Sequence, residues 1–301
     1  MVVPVLPDND SNADVHPTGR YAGRQIFHFL LCDILPLILM LVAPIWLPAG
    51  WFCWFGVAVL LGMWTLVAGV GITVGFHRLF THRSFKAKGW VKVLAGVAGS
   101  MSAQGPLIYW AALHRRHHAC SDRPGDPHSP VASADGKHSK LAAFFAGHIG
   151  WVTRHDVPKA SRYVIDLLND HAALFVSNTY WLSVFLGIAL PTAIGWLHFG
   201  TIDGAVIGLY WGGIVRIALG QHIVWSVNSV CHTFGSRPYN TKDQSTNYAV
   251  LCLITFGESW HNNHHWTPAS PKLGHRWWQI DIGWWIIGVL RVLGGAELRS
   301  K

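Results

Sequence analysis

Nine histidines fall into four groups whose spacing suits metal binding. His114, His117 and His118 form HRRHH, and His261, His264 and His265 form HNNHH. On a helix, positions i, i+3 and i+4 share one face, so each HxxHH run aims three imidazoles at one place. Asn228 and His232 in NSVCH share a face by the same rule. His77 and His82 in HRLFTH stand five apart, which suits a straight α-helix poorly and predicts that they straddle a helix end. Imidazole is a ligand for zinc, copper, iron and nickel. Nine such ligands exceed the needs of one ion, and two ions with four or five nitrogens each would use them all. There are no carboxylate ligands of the kind that soluble di-iron bundles use. Neutral imidazoles then leave the metal charge uncompensated, which makes for strong Lewis acids. The other ten histidines (16, 28, 128, 138, 148, 155, 171, 198, 222 and 275) are read as hydrogen-bonded or solvated groups.

The elements that must position these groups are apolar. The 301-residue chain is 51% hydrophobic and 13% charged, with 17 Trp. Soluble domains carry about 25% charged residues, and Trp favours membrane interfaces. The chain reads as an all-α integral membrane protein of one domain, residues 26–295, after a flexible cytosolic segment, residues 1–25. Four stretches are long enough to cross a bilayer: residues 26–47, 51–76, 174–197 and 206–230. Pro36, Pro44 and Pro191 lie within them. Residues 89–112 and 279–293 are semi-apolar and predict helices lying in the interface.

The loops joining the first to the second span and the third to the fourth carry no Lys or Arg. Arg20, Arg24, Arg78, Arg83, Lys86, Lys88 and the basic residues after residue 230 lie on the other side. Both termini and the long middle segment are therefore expected to face the cytoplasm. The net charge of +8 is explained by this asymmetry and not by nucleic acid. All four histidine groups then emerge on one membrane face, where a helical cap over a four-helix stalk can gather them. The five scattered cysteines predict free thiols. Gly71 and Gly75 suit close helix approach or a tunnel wall. Arg115 and Arg116 fall on the arc opposite the imidazoles and are expected to face solvent or lipid phosphate.

GFHRLFTHRSFKA, HRRHH, NSVCH and FGESWHNNHH, in this order and at these intervals, resemble the membrane-bound fatty acyl desaturases of the stearoyl-CoA desaturase type. DPHSP (126–130) and GHIGW (147–151) resemble the same family, and the likeness spans residues 21–281. The resemblance implies four transmembrane helices under a cytosolic cap. It implies two irons held by His77, His82, His114, His117, His118, His232, His261, His264 and His265, with Asn228 acting through a water. It implies O2-dependent insertion of a cis double bond, commonly Δ9, into a saturated acyl chain. Electrons would come from cytochrome b5, ferredoxin or rubredoxin. By matched position, Gln104, Trp110 and Trp225 would line the bend of an acyl tunnel, and Arg154 would contact the headgroup. The acyl-CoA branch of the family carries an Arg-Asp pair directly before the second box. Here those positions are Ala112 and Leu113, as in bacterial and cyanobacterial relatives, so the substrate is acyl-CoA or lipid-linked.

Two rival readings stand beside this one. A His-rich di-iron hydroxylase of lipid or alkane would share the cage. A membrane metal transporter would place ligands near the bilayer midplane, where only Asp33 and Arg216 are charged.

Overall fold

The computed structural model describes residues 14–16, 18–131 and 139–299. His138 lies outside the described residues, as do residues 1–13 and 17. Among the described residues the regular structure is helical apart from two short antiparallel ribbons. β1 (Val15–His16) pairs with β3 (Val157–Pro158), and β2 (Phe85–Ala87) pairs with β4 (Ala296–Leu298). Among the described residues four helices are long and apolar enough to cross a membrane: Ala22–Ile45 (α1), Trp54–Thr81 (α2), Tyr180–Phe199 (α6) and Ile202–His232 (α7). The shorter helices used below are α3 (Gly89–Ser100), α4 (Leu107–Cys120), α5 (His171–Asn178), α8 (His261–Trp266) and α9 (Ile282–Val292). The third span starts six residues later than expected because the chain breaks at Thr179, between α5 and α6.

The described part of the expected N-terminal lead-in is tied down. Beyond the β1–β3 pairing, Gln25 is buried and donates to the His155 carbonyl at 3.0 Å.

Residues 89–112 do not lie flat in an interface. α3 runs along α2 so closely that a Cβ at Gly71 would collide with the Ala98 and Gly99 backbone, and one at Gly75 would lie 2.8 Å from the Ala95 carbonyl oxygen. The two glycines therefore serve helix contact, not a tunnel wall. α4 leads the chain back toward the cap. The turn between α3 and α4 meets Arg216 and Gln221 of α7, so the pair forms a helical hairpin beside the spans. The irregular backbone of such a turn is tolerated where protein buries it. The hairpin turns back on itself, so His77 and His114 stay on one side.

Two polar side chains of α7 make this arrangement possible. Pro36 and Pro191 each remove one helical N–H and so free the carbonyl four residues earlier. Arg216 Nη2 donates to the Gly187 carbonyl, freed by Pro191, at 2.9 Å. Its Nη1 donates to the Met101 carbonyl at the hairpin turn (2.8 Å), and its Nε to Gly212 (2.7 Å). Gln221 Nε2 reaches the Cys32 carbonyl, freed by Pro36, at 3.5 Å, and the Ser102 and Ala103 carbonyls at 3.3 and 3.2 Å. Arg216 is thus taken up by three carbonyls, which gives its charge a structural role in holding the hairpin. A seam of small residues joins α6 to α7: a Cβ at Gly195 or Gly208 would strike the backbone of the facing helix.

α9 packs on α2 through Ile287, fully buried, and turns Trp285, Val289 and Val292 outward. This matches the short amphipathic helix expected at residues 279–293.

Candidate metal centre

α2 is not an ordinary α-helix over its last turns. Thr65–Thr81 is wound as a π-helix, with hydrogen bonds from i to i+5, a form frequent at functional sites. The His82 amide accordingly donates to the His77 carbonyl at 3.0 Å. The five-residue spacing of HRLFTH is one π-turn. His82 closes the helix as its cap, as expected, and the wide turn also keeps its imidazole with that of His77.

The nine imidazoles meet as two groups. His77, His82, His114, His118 and His264 bring one nitrogen each within 4.8 Å of one another, and so do His117, His232, His261 and His265. In the first group, Nε2 atoms of His77 and His264 are 3.1 Å apart. Those of His82 and His114, of His114 and His118, and of His118 and His264 are 3.0 Å apart. In the second, His261 Nε2 lies 3.1 Å from His232 Nε2 and 3.0 Å from His265 Nε2.

Hydrogen bonds cannot account for this packing. His232 and His265 face carboxylates with Nδ1, at 2.8 Å from Asp122 and 2.8 Å from Asp243. A neutral imidazole has one N–H, so both rings turn a lone pair toward His261, which has at most one proton to offer there. His117 faces Asp126 with Nδ1 at 3.0 Å, and its buried Nε2 has no hydrogen-bond partner among the described residues. A cation resolves the conflict. Two nitrogens each about 2.1 Å from one ion, at right angles, are about 3.0 Å apart. The donor sets therefore fit metal ions.

The electrostatics agree. Burial first, then repulsion from neighbouring imidazoles, holds His82, His114, His118, His261 and His264 well below the usual histidine range. Burial lowers His265 to about 4 despite Asp243. These rings stay neutral, as ligands must. Burial would lower His117 too, yet Asp126, Asp122 and Asp243 outweigh it and raise its pKa.

Four carboxylates escaped the sequence reading. Glu258 faces His77 Nδ1 at 2.6 Å, and Asp122, Asp126 and Asp243 back the second group. They do not join the cage but stand behind it, fixing ring orientation. The charge of a bound metal would therefore be partly balanced one step out, although the cages themselves hold imidazoles alone. Glu258 stands three residues before His261 and Asp126 sits in the DPHSP stretch, so both had a sequence signal. Asp122 and Asp243 come from loops, and their spacing carried none.

The arginines also depart from expectation. Arg115 is largely buried: it pairs with both oxygens of Asp166 (2.5 and 2.9 Å) and donates to the Phe80 and Thr81 carbonyls at 3.0 and 2.9 Å. It clamps the end of α2 beside His82. Arg116 is buried and donates to the Asp156 carbonyl at 3.3 Å. The orphan carbonyls at the end of α2 and the Asp166 carboxylate take up the Arg115 guanidinium. Arg78, counted as a loop charge, is buried between Glu258 (3.1 Å) and Asp281 (2.8 Å).

Of the histidines set aside, His28 meets Tyr180, His148 meets Ser229 and His222, His155 meets Tyr109, and His275 meets Tyr239. His128 differs: its ring lies 4.5 Å from that of His117, and it groups with His117 and Asp126.

A cavity of about 550 Å³ runs past His77, His114 and His261. Gln104, Trp110, Trp225 and Asn228 line it, whereas Arg154 lines a separate cavity of about 560 Å³ with Arg116 and Asp156. Trp110 stacks on His114 with ring centroids 5.2 Å apart and donates to Gln104 Oε1 at 3.3 Å. Leu113 lines the cavity and Ala112 is buried beside it.

The fatty acid desaturase family profile matches residues 23–290. The chain is 40% identical over 278 residues to hex-5-enoyl-[acyl-carrier protein] acetylenase of Moorena producens, covering 90% of this chain and 85% of that protein. It is 35% identical over 295 residues to acyl-CoA C20 Delta5-desaturase of Anemone leveillei, covering 97% and 86%. It is 36% identical over 251 residues to sn-1 stearoyl-lipid 9-desaturase of Anabaena variabilis, covering 81% and 84%. With an apolar four-span stalk, two histidine cages and a cavity that touches both, the chain belongs to the fatty acid desaturase family of O2-dependent oxidoreductases.

Proposed function

We propose that this protein inserts a cis double bond at Δ9 of a saturated acyl chain, using two irons. One iron is held by His77, His82, His114, His118 and His264. The other is held by His117, His232, His261 and His265, with Asn228 acting through a water. The observation that carries the reading is the five-plus-four grouping of ring nitrogens, with His77 and His114 of one group and His261 of the other reaching the wall of one cavity. Position nine is supported by the 9-desaturases among the relatives. Two bound irons would supply an oxidant, formed from O2, strong enough to remove hydrogen from an unactivated methylene.

The protein's own groups do the rest. The chain lies in a cavity lined by Trp110 and Trp225, whose apolar rings disfavour water beside the reacting carbons. Trp110, fixed by Gln104 and by its stack on His114, sets how closely the chain passes the first cage. Asp122, Asp126, Asp243 and Glu258 keep their histidines in the tautomer that turns a lone pair inward. The reaction consumes O2, two electrons and two protons and yields the alkene and two waters. The electrons come from a separate carrier of the cytochrome b5, ferredoxin or rubredoxin type. Both termini and the cages face the cytoplasm, as the loop charges support.

The test is expression in a host without desaturases, with mass spectrometry locating double bonds in its fatty acids. New Δ9 cis-alkenes are expected. Hydroxylated chains in their place would establish the rival hydroxylase reading.

A further inference from the structure

His148 and His222 lie outside both cages, and no step proposed for the reaction uses them. His148 belongs to GHIGW, which is wound as a π-turn over Ala146–Gly150. That turn is pressed against the DPHSP stretch: a Cβ at Gly147 would stand 2.5 Å from the Pro130 nitrogen. From this base His148 reaches α7. Its Nδ1 lies 2.8 Å from Ser229 Oγ, and its Nε2 lies 3.1 Å from His222 Nδ1. His222, Trp225 and Ser229 stand at i, i+3 and i+7, so one face of α7 carries all three.

The tautomers fix the direction of these bonds. Ser229 Oγ donates its one proton to the Trp225 carbonyl at 3.1 Å, so toward His148 it can only accept. His148 Nδ1 is therefore the N–H. Burial, and then the neighbouring His222, lowers His148 to about 4, so the ring is neutral and has no second proton. His148 Nε2 then accepts, and His222 Nδ1–H is the donor. The chain runs one way, from His222 through His148 and Ser229 to the backbone of Trp225. Unlike the cage rings, each close approach here is a complete hydrogen bond and needs no cation.

The residue these groups surround is Trp225. Its indole is buried and meets His222, His148 and Trp151 edge to face, with ring centroids 5.3, 6.0 and 6.4 Å away. Trp225 lines the cavity that passes both cages, whereas His148 and His222 touch Trp225 without lining it. We infer that the His222–His148–Ser229 chain is a clamp that holds the Trp225 ring in one rotamer and so selects which carbons of the acyl chain stop beside the cages. His148 and His222 are thus positioning residues for the site of the double bond. The inference rests on the acyl-desaturase reading above. Small movements of the wall matter here, since a misplacement of about 1 Å can cost about 100-fold in rate at the intended carbons, and neighbouring carbons then compete.

The test uses the full-length, iron-loaded protein and two readouts. One is the proportion of each positional isomer among the alkenes formed, by mass spectrometry. The other is fluorine NMR of fluorotryptophan-labelled protein, with the Trp225 line assigned by its loss in Trp225→Phe. His148→Phe keeps a ring and removes both hydrogen bonds, and His222→Leu removes the first donor. In each, the ratio of misplaced to correctly placed double bonds should rise about tenfold, the loss expected of one hydrogen bond to a buried group. The Trp225 line should shift or split in both. His222→Asn should restore ratio and line, because its Nδ2–H stands where the histidine Nδ1–H did. Iron content should match wild type throughout. An unchanged isomer ratio or an unchanged Trp225 line in both His148→Phe and His222→Leu would overturn the inference. So would a His222→Asn variant that behaves as His222→Leu, or loss of iron from His148→Phe and His222→Leu, which would show that the pair supports a cage and not the indole. The NMR readout needs no turnover. A wild type that forms no double bond while its Trp225 line responds to the variants therefore counts against the desaturase reading, and one that desaturates with an indifferent line counts against the clamp.

Discussion

The two histidine cages differ in what stands behind them. The five-imidazole cage has one carboxylate at its back, Glu258 on His77. The four-imidazole cage has three, Asp126, Asp122 and Asp243 on His117, His232 and His265. Fewer nitrogens thus go with more negative charge. A carboxylate on Nδ1 makes the far nitrogen a better donor, so the smaller cage compensates in basicity for what it lacks in ligand number. Its neighbourhood raises the pKa of His117, although His261 and His265 beside it are held low, as are His82, His114, His118 and His264 of the larger cage. The lesson is that ligand count alone does not describe a site. Two cages of one residue type can be unequal, with the inequality written one step out.

That inequality can be broken one cage at a time. The largest effect is expected from His264→Ala and His265→Ala, each of which strips one cage. Activity should fall more than about 100-fold, beyond the range of an outer partner, and bound iron should drop from two per chain toward one. Retained turnover in either variant would refute the ligand assignment. Next come Asp243→Asn and Glu258→Gln. Each should weaken one ion about 10–100-fold, which metal titration followed by Mössbauer spectroscopy can assign. Release of the same ion by both variants would show that the cages are not independent. Glu258→Gln should also lower the melting temperature, because Arg78 is then left with Asp281 as its one buried anion.

Arg115→Lys should cost about tenfold in activity through the larger cage, since an ammonium cannot span both oxygens of Asp166 and two helix-end carbonyls. The iron of the smaller cage should be unaffected. The smallest effect concerns pH. Burial would raise the Asp166 carboxyl, but Arg115 and then Arg83 hold it below its usual range. The stability it contributes is present above the ordinary carboxyl pKa, about 3.9, and is lost as pH falls through its lowered folded value. Wild type should therefore lose more stability below pH 4 than Asp166→Asn does, and parallel melting curves for the two would remove the clamp from the account.

How much of this could be read in the sequence depends on whether the determinant is periodic. The four spans are long runs of one chemistry, and HxxHH keeps helical spacing, so both were legible. The hairpin of α3 and α4 was not, because its length and apolarity also suit an interface helix. What distinguishes it is the pairing of Met101, Ser102 and Ala103 with Arg216 and Gln221 more than 110 residues away. Arg115 and Arg116 were misjudged for a related reason. Helical geometry correctly placed them opposite the imidazoles, but the far arc faces the end of α2 and the Asp156 backbone, not water. Asp122 and Asp243 lie in loops, where spacing carries no direction.

The grip of Arg216 and Gln221 on the hairpin has a consequence for biosynthesis. Met101 leaves the ribosome 115 residues before Arg216. At about 5–20 residues per second, the turn waits on the order of ten seconds for the side chains that accept its carbonyls. Over that interval the carbonyls freed by Pro36 and at residues 101–103 have no protein partner from α7. The contacts that hold the hairpin turn are therefore complete only once the last span is made. The fourth span thus does not merely join a finished bundle: it brings the side chains that fix a segment made long before it.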